Sequence, residues 1–324
     1  MKQLTIWKYL VNLEAEEMYM NNAARIAEIV LPVVVSLFLG WLSRLKNILS
    51  RAQIDGLKTF VVTFSLPAVL FMAFAEIAYG LDVLLTCVAV FAACTAMLFL
   101  GKLFRRENPL MAFLVTGFEA GMMGYSLYTL LFGAENLSVM AMAALGGDVF
   151  VFTLYMAMLK SRDGMPAKQI ARETLLSPIF LAILAGVLLG ATGLWGAMSG
   201  HFIGAAVAAV GDFLSGPTAC AILFVVGYNI EFSRDSLVGA VRAAGVRLLF
   251  CAAFCVVCIL FLTWTVGMTD LLRWALILLF TLPGPYVLPV FARGEADARY
   301  ASSCLSLYTL LSVAMFCVIA VLAV

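Results

Sequence analysis

The chain has 324 residues, of which 64% are hydrophobic and only 12% carry charge, about half the charged share of an ordinary soluble domain. That excludes a water-soluble globule, and a net charge of +1 from 20 basic and 19 acidic residues, with no run of lysine or arginine, gives nucleic acid nothing to bind. A bilayer core about 30 Å thick takes about 20 apolar residues per helical crossing, which leaves room for about ten crossings with loops between them.

In chain order, the N-terminus predicts no cleavable signal peptide, because Glu14, Glu16 and Glu17 follow the first apolar residues and no small-residue cleavage site appears. Residues 4–20 bring Leu4, Trp7, Val11 and Met18 near one helical side, which predicts either a short helix lying on the membrane surface or a frayed tail. Uninterrupted apolar stretches then predict spans at 23–43, 57–78, 82–101, 109–132, 138–159, 177–195, 202–229, 240–264, 270–292 and 300–323. Long continuous runs point to helices, since a barrel would alternate in segments of about ten residues. The fold class is therefore all-α integral membrane. Its predicted organisation is an interfacial segment at 1–22, a first five-helix unit at 23–160, a cytoplasmic linker at 161–176 and a second five-helix unit at 177–324.

Basic residues sort the loops. Those after spans 1, 3, 5, 7 and 9 hold Arg44, Lys46, Arg51, Lys58, Lys102, Arg105, Arg106, Lys160, Arg162, Lys168, Arg172, Arg234, Arg242, Arg293 and Arg299, whereas the other side holds only Lys2, Lys8, Arg25 and Arg273. The imbalance places the odd-numbered loops in the cytoplasm and both termini outside.

The two units repeat. Pro32 and Gly40 are spaced like Pro178 and Gly186, and Ser65-Leu66-Pro67-Ala68 matches Ser215-Gly216-Pro217-Thr218, in order, at offsets of 146 and 150. Five spans per unit would set the halves in opposite orientations, with Pro67 and Pro217 as candidate hinges. Spans 4 and 9 resist a continuous helix: the first carries Gly117, Gly121 and Gly124 around Glu119, the second Leu282-Pro283-Gly284-Pro285 and then Pro289. Aligning Gly133 with Gly294 sets Gly121 to Gly124 opposite Leu282 to Pro285, so both spans are expected to unwind at equivalent points. Paired discontinuous helices in inverted halves are the best sequence pointer to a carrier's binding site.

Leu31-Pro32 with Gly40, the run Leu66-Pro67-Ala68-Val69-Leu70-Phe71, Gly121-x-x-Gly124 with Phe132-Gly133, Ser177-Pro178, and Pro283 followed by Ala301-Ser302 and Ser312 resemble the auxin efflux carrier family over about residues 25 to 324. The family's bacterial members include proteins described as malate or malonate permeases. The resemblance implies ten helices in two inverted five-helix repeats, akin to bile-acid symporters, with helices 4 and 9 broken and crossing at the substrate. It also implies a scaffold of helices 1, 2, 6 and 7, an elevator-like motion of the core of helices 3–5 and 8–10, and transport of small organic anions. Relatives are often dimers, so a homodimer, a small-molecule substrate and the bilayer are the implied partners. This chain departs from the family at the fourth helix, where the usual asparagine, glycine and proline positions hold Glu119, Gly124 and Ser126, so that the glycine is kept while the asparagine and proline are not.

Half-helix N-termini at the breaks favour an anion. Glu119 either alternates between protonated and ionised forms, coupling transport to protons, or stays charged and prefers a sodium ion or a cationic or zwitterionic substrate. A structural carboxylate paired with Arg247 or a backbone amide is the third reading. Asp148 and Asp212 are further relay candidates or counter-ions to Arg247. Gly121, Gly124, Tyr125, Ser126, Pro283, Gly284, Pro285 and Tyr286 complete the candidate substrate site, with Tyr125 and Tyr286 offering hydroxyls to a substrate carboxylate. Ser65, Asn229 and Thr281 are lesser polar candidates, while Glu28, Glu76 and Glu231 sit at span ends, where headgroup solvation explains them.

The eight cysteines, Cys87, Cys94, Cys220, Cys251, Cys255, Cys258, Cys304 and Cys317, fall in apolar stretches and read as small hydrophobes. No metal site is expected, because the single histidine, His201, is remote and no CxxC occurs. No cofactor is expected beyond a coupling proton or sodium ion. Without Walker A, HExxH or GxSxG motifs, an enzyme is not predicted; a membrane receptor stays open as the alternative to a carrier.

Overall fold

The computed structural model describes residues 2–104, 108–161, 166–292 and 294–323, so the basic residues Arg105, Arg106, Arg162 and Arg293 lie outside the described set. Among the described residues all regular structure is helical. Seven segments are long and apolar enough to cross a bilayer. They are Ala24–Leu45 within α1 (Lys2–Leu45), α2 (Arg51–Ala75), α3 (Leu81–Phe104), α6 (Ala134–Ser161), α10 (Phe202–Tyr228), α11 (Leu237–Thr265) and α13 (Glu295–Ala323). Between them lie α4 (Met111–Leu114), α5 (Tyr125–Phe132), α7 (Ala167–Leu175), α8 (Pro178–Ala191), α9 (Leu194–Ser199) and α12 (Asp270–Thr281).

Of the ten expected spans, seven are thus long helices. The sixth is the 14-residue α8, about 21 Å long at 1.5 Å per residue, continued after Gly193 by α9. The fourth and ninth are interrupted. The N-terminal segment differs from both expectations, because residues 2–23 continue α1 without a break.

Local chemistry sets several boundaries. Ser50 starts α2 with a capping box, its Oγ accepting from Gln53 N while Gln53 Oε1 accepts from Ser50 N. Ser177 caps α8 with Pro178 at the first turn, where a missing N–H is harmless. Pro67 is accommodated by a π-helical turn, Val61–Ser65, just before it. Its counterpart Pro217 separates the two helical pieces of α10, Phe202–Ser215 and Thr218–Tyr228.

The helices pack in two sets. α1 runs along the second piece of α10, and α8 along the second half of α2; α3 packs on α6, while α11 touches α13, α3 and α12. Equivalent glycines permit the first pair of contacts. A Cβ on Gly40 would run into the Phe224 carbonyl, and one on Gly186 would come within 2.7 Å of the Phe71 carbonyl. Outward faces carry large apolar side chains, with Trp264, Phe202 and Phe213 more than four-fifths exposed, a surface suited to lipid and not to water.

Candidate functional site

The fourth segment begins as one helical turn, α4, and then loses helical form over 115–119. Gly117 has φ +72, and a Cβ there would sit 3.0 Å from Pro285 Cγ, so backbone conformation and packing both require glycine. Helix resumes through a π-helical turn, Ala120–Gly124, that runs into α5. The break therefore lies upstream of the expected Gly121 to Gly124, which sit in the resumed turn. Gly124 serves packing, since a Cβ would meet Leu282 Cδ1 at 2.7 Å and Met140 Cε at 2.9 Å. In the ninth segment α12 ends at Thr281, and Leu282 turns extended with ψ 154. The chain is then non-helical through Pro283, Gly284 and Pro285, as expected. A short 3-10 turn, Leu288–Phe291, follows.

The two breaks lie against each other. Glu119 N donates to Pro283 O at 2.9 Å, and the Glu119 carboxylate accepts from Tyr286 N at 2.7 Å. The backbone-amide partner considered for Glu119 is the one found, although the amide belongs to the opposite break. Arg247, 4% exposed in the middle of α11, reaches the same place. Its Nη1 donates to Leu114 O at 3.0 Å and Thr116 O at 3.5 Å, and its Nη2 donates to Gly117 O and Leu282 O, both at 2.8 Å. The Phe118 and Tyr308 rings flank its Cζ at 5.6 and 5.2 Å. The counter-ion roles raised for Glu119, Asp148 and Asp212 toward Arg247 are thereby corrected. Unwinding strips carbonyls of their helical amides, and the guanidinium's Nη donors go to those carbonyls and not to a carboxylate.

The other candidates divide. Tyr125, 2% exposed, donates its hydroxyl to Asp148 Oδ2 at 3.2 Å. The Tyr286 hydroxyl pairs with Thr309 Oγ1 at 2.7 Å and lies 3.1 Å from Met123 Sδ. Ser126 is buried, and Ser65 Oγ is buried without a hydrogen-bond partner. Thr281 Oγ1 donates to Leu278 O, and its carbonyl accepts from Ser312 Oγ. Asp212 is exposed and stands on a different cavity from Glu119. Glu231, assigned above to headgroup solvation, is instead paired with Arg44 at 2.9 Å; the exposed segment after α10 brings the two together.

Three cavities surround the breaks. One of about 480 Å³ is lined by Arg44, Arg51, Lys58, Asn229, Tyr286 and Thr309 among others, with Asp55 and Glu231 as its acids. A second, about 400 Å³, carries Glu76, Glu135 and Asp212 with no basic side chain, and reaches Gly121, Tyr125 and Ser126. A third, about 350 Å³, holds both Glu119 and Asp148 on largely apolar walls and opens toward Lys58, Lys160 and Glu173. Lys160 Nζ and Glu173 Oε2 meet there at 2.7 Å and tie the linker helix α7 to the end of α6. The segment 115–125, with Glu119, Gly121 and Tyr125, thus stands where the three cavities converge.

Sequence patterns did not indicate Thr309 or the donor role of Arg247. The one available signal for Arg247 was its position deep in an apolar span, where a charge implies a purpose. A family model described as a membrane transport protein matches residues 25–320. A search of curated proteins gave no match.

Proposed function

The chain belongs to the membrane transport protein family, a family of carriers and not of enzymes, and from that premise we propose that it is a secondary carrier of a small organic anion coupled to protons through Glu119. The resemblance to auxin efflux carriers noted in its motifs is borne out by the same match. In the proposed arrangement ten segments form two inverted five-helix repeats, with both termini outside and the broken fourth and ninth segments crossing at the substrate. The reciprocal packing of α1 with α10 and of α8 with α2, each through an equivalent glycine, supports the repeat. Packing is closer within those pairs and among α3, α6, α11, α12 and α13 than between the two groups, where α1 touches α13 and α2 touches α6, and this supports a scaffold of helices 1, 2, 6 and 7 and a core that moves against it.

One observation carries the reading: a titratable carboxylate, Glu119, stands between two unwound segments on a cavity that shares Lys58, Met122 and Tyr286 with the neighbouring cavity furnished with Arg44 and Arg51. The cations draw an anion toward the breaks. Two discontinuous segments offer backbone donors to hold it, and Tyr125, Ser126 and Tyr286 stand nearby. Asp148, bonded to Tyr125, would serve as the second proton-exchanging group, and a carboxylate that must be neutral beside an anion couples the two fluxes.

Purified protein in liposomes, given labelled organic acids under an imposed pH gradient, tests this. Accumulation that follows the gradient and loses its pH dependence in Glu119→Gln supports it; saturable binding without flux would make the protein a receptor. A specific feature favours a second reading, a cationic or zwitterionic substrate: the second cavity carries three carboxylates and no lining cation. Uptake of amines in place of acids in the same assay would establish that reading.

A further inference from the structure

Arg247 is nearly inaccessible and, among the described residues, meets no carboxylate within ion-pair distance. A buried guanidinium is costly unless its donors are satisfied, and here four carbonyls do that. Leu114, Thr116 and Gly117 supply the first break's carbonyls, and Leu282 supplies one from the second. Two of the four bonds leave Nη2 for opposite breaks at 2.8 Å each, so a single nitrogen joins the two segments. Beyond it, Gly117 is two residues from Glu119, and Leu282 precedes Pro283, whose carbonyl takes the Glu119 amide. Three consecutive ties therefore cross between the breaks: the Arg247 fork, the Glu119–Pro283 backbone bond, and the Glu119 carboxylate on the Tyr286 amide.

We propose that Arg247 is a positioning residue that holds the two breaks in register and so fixes where the Glu119 carboxylate stands. It makes α11 and both unwound segments a single body, which moves as one if the core moves at all. The planar fork is essential, because a lysine ammonium presents a point charge with three donors and cannot span carbonyls on two segments while packed between the Phe118 and Tyr308 rings. The register does not depend on what the protein transports; only the consequence for uptake rests on the carrier reading above.

Hydrogen–deuterium exchange on purified Arg247→Lys and Arg247→Gln, in wild-type and Glu119→Gln backgrounds, tests it. In Arg247→Lys, peptides spanning residues 114–125 and 282–290 should exchange together about tenfold faster, while peptides of α1 and the second piece of α10 keep wild-type rates. Wild-type protection at either break, loosening of one break alone, or acceleration along the whole chain overturns the proposal. If Arg247→Gln fails to fold, Arg247→Lys decides alone. Where uptake is measurable, Arg247→Lys should raise KM and alter the pH profile in the wild-type background. It should leave the pH profile unchanged in Glu119→Gln; independent, additive effects would mean that Arg247 does not act through Glu119. If no uptake is found at all, the exchange result stands and only the carrier reading falls.

Discussion

The Glu119 carboxylate accepts the backbone N–H of Tyr286 at 2.7 Å, 167 residues along the chain. This one bond serves two ends, satisfying an amide that the Pro-Gly-Pro segment leaves without a helical partner and holding a titratable oxygen between the breaks. The two ends separate by substitution. Glu119→Gln keeps an amide oxygen for Tyr286, so its thermal midpoint should stay near wild type while any proton-coupled flux loses its pH dependence. Glu119→Ala leaves the Tyr286 donor unpaired and should lose about 1–3 kcal/mol. Thermal unfolding in one detergent, measured on both variants, checks this; equal destabilisation would show that the bond contributes nothing to the fold.

Glycine substitutions should divide by what faces them. Gly186→Ala sets a methyl against the Phe71 carbonyl at 2.7 Å and Phe74 Cβ at 2.9 Å, backbone-level contacts that cannot yield, and should destabilise by about 1–3 kcal/mol. Gly56→Ala, inside α2 with nothing within 4 Å, should stabilise by about 0.4–1 kcal/mol through helix propensity and a less flexible unfolded chain. Midpoints measured side by side give the sign directly.

The contrast shows what the sequence could disclose. Long apolar runs specify helices because lipid leaves the backbone no other partner, and seven of ten predicted spans are long helices. Pro283-Gly284-Pro285 announced its own break, since two of three residues lack a donor. The other break was displaced, over 115–119 and not at Gly121 to Gly124, because its position follows from Gly117's contact with Pro285 and from carbonyls drawn to Arg247. Neither leaves a local trace: a carbonyl belongs to every residue, so a side chain that seeks one 130 residues away has no motif. The pairing of Glu231 with Arg44 was hidden for a related reason, as it joins the ends of α1 and α10 that only the packing brings together.

Glu173 reports on the linker helix. Hydrogen bonds from Lys160 and then from Gln169, with the Lys160 charge, hold its carboxyl below the ordinary value of 4.5. A depressed carboxyl stabilises the folded form above the unfolded value, so the α7 tie is complete above about pH 4.5 and is lost as the pH falls through the depressed value. A carboxyl-carbon NMR titration, with the resonance assigned by Glu173→Gln, should show the midpoint below 4.5 in wild type and moved up toward 4.5 in Lys160→Met, where only the Gln169 hydrogen bond still lowers it. An unchanged midpoint in Lys160→Met would dissolve the tie.

The charges on the cavity lined by Arg44, Arg51 and Lys58 should not act equally. Arg44 is offset at 2.9 Å by Glu231, so removing both in Arg44→Gln/Glu231→Gln leaves the field an anion meets nearly as it was. Arg51 and Lys58 face the same cavity with Asp55 as the further acid, and Arg51→Gln/Lys58→Gln removes two charges without removing an acid. At cavity distances in a partly screened medium, each lost charge should weaken anion binding about three- to tenfold. KM for a transported acid should therefore rise about ten- to hundredfold in the second double variant and change little in the first. Because these side chains touch solvent, raising the salt toward 1 M should shrink the difference. Equal effects of the two double variants, or a gap that persists at high salt, would mean that the residues act by contact or folding and not through the field at the mouth.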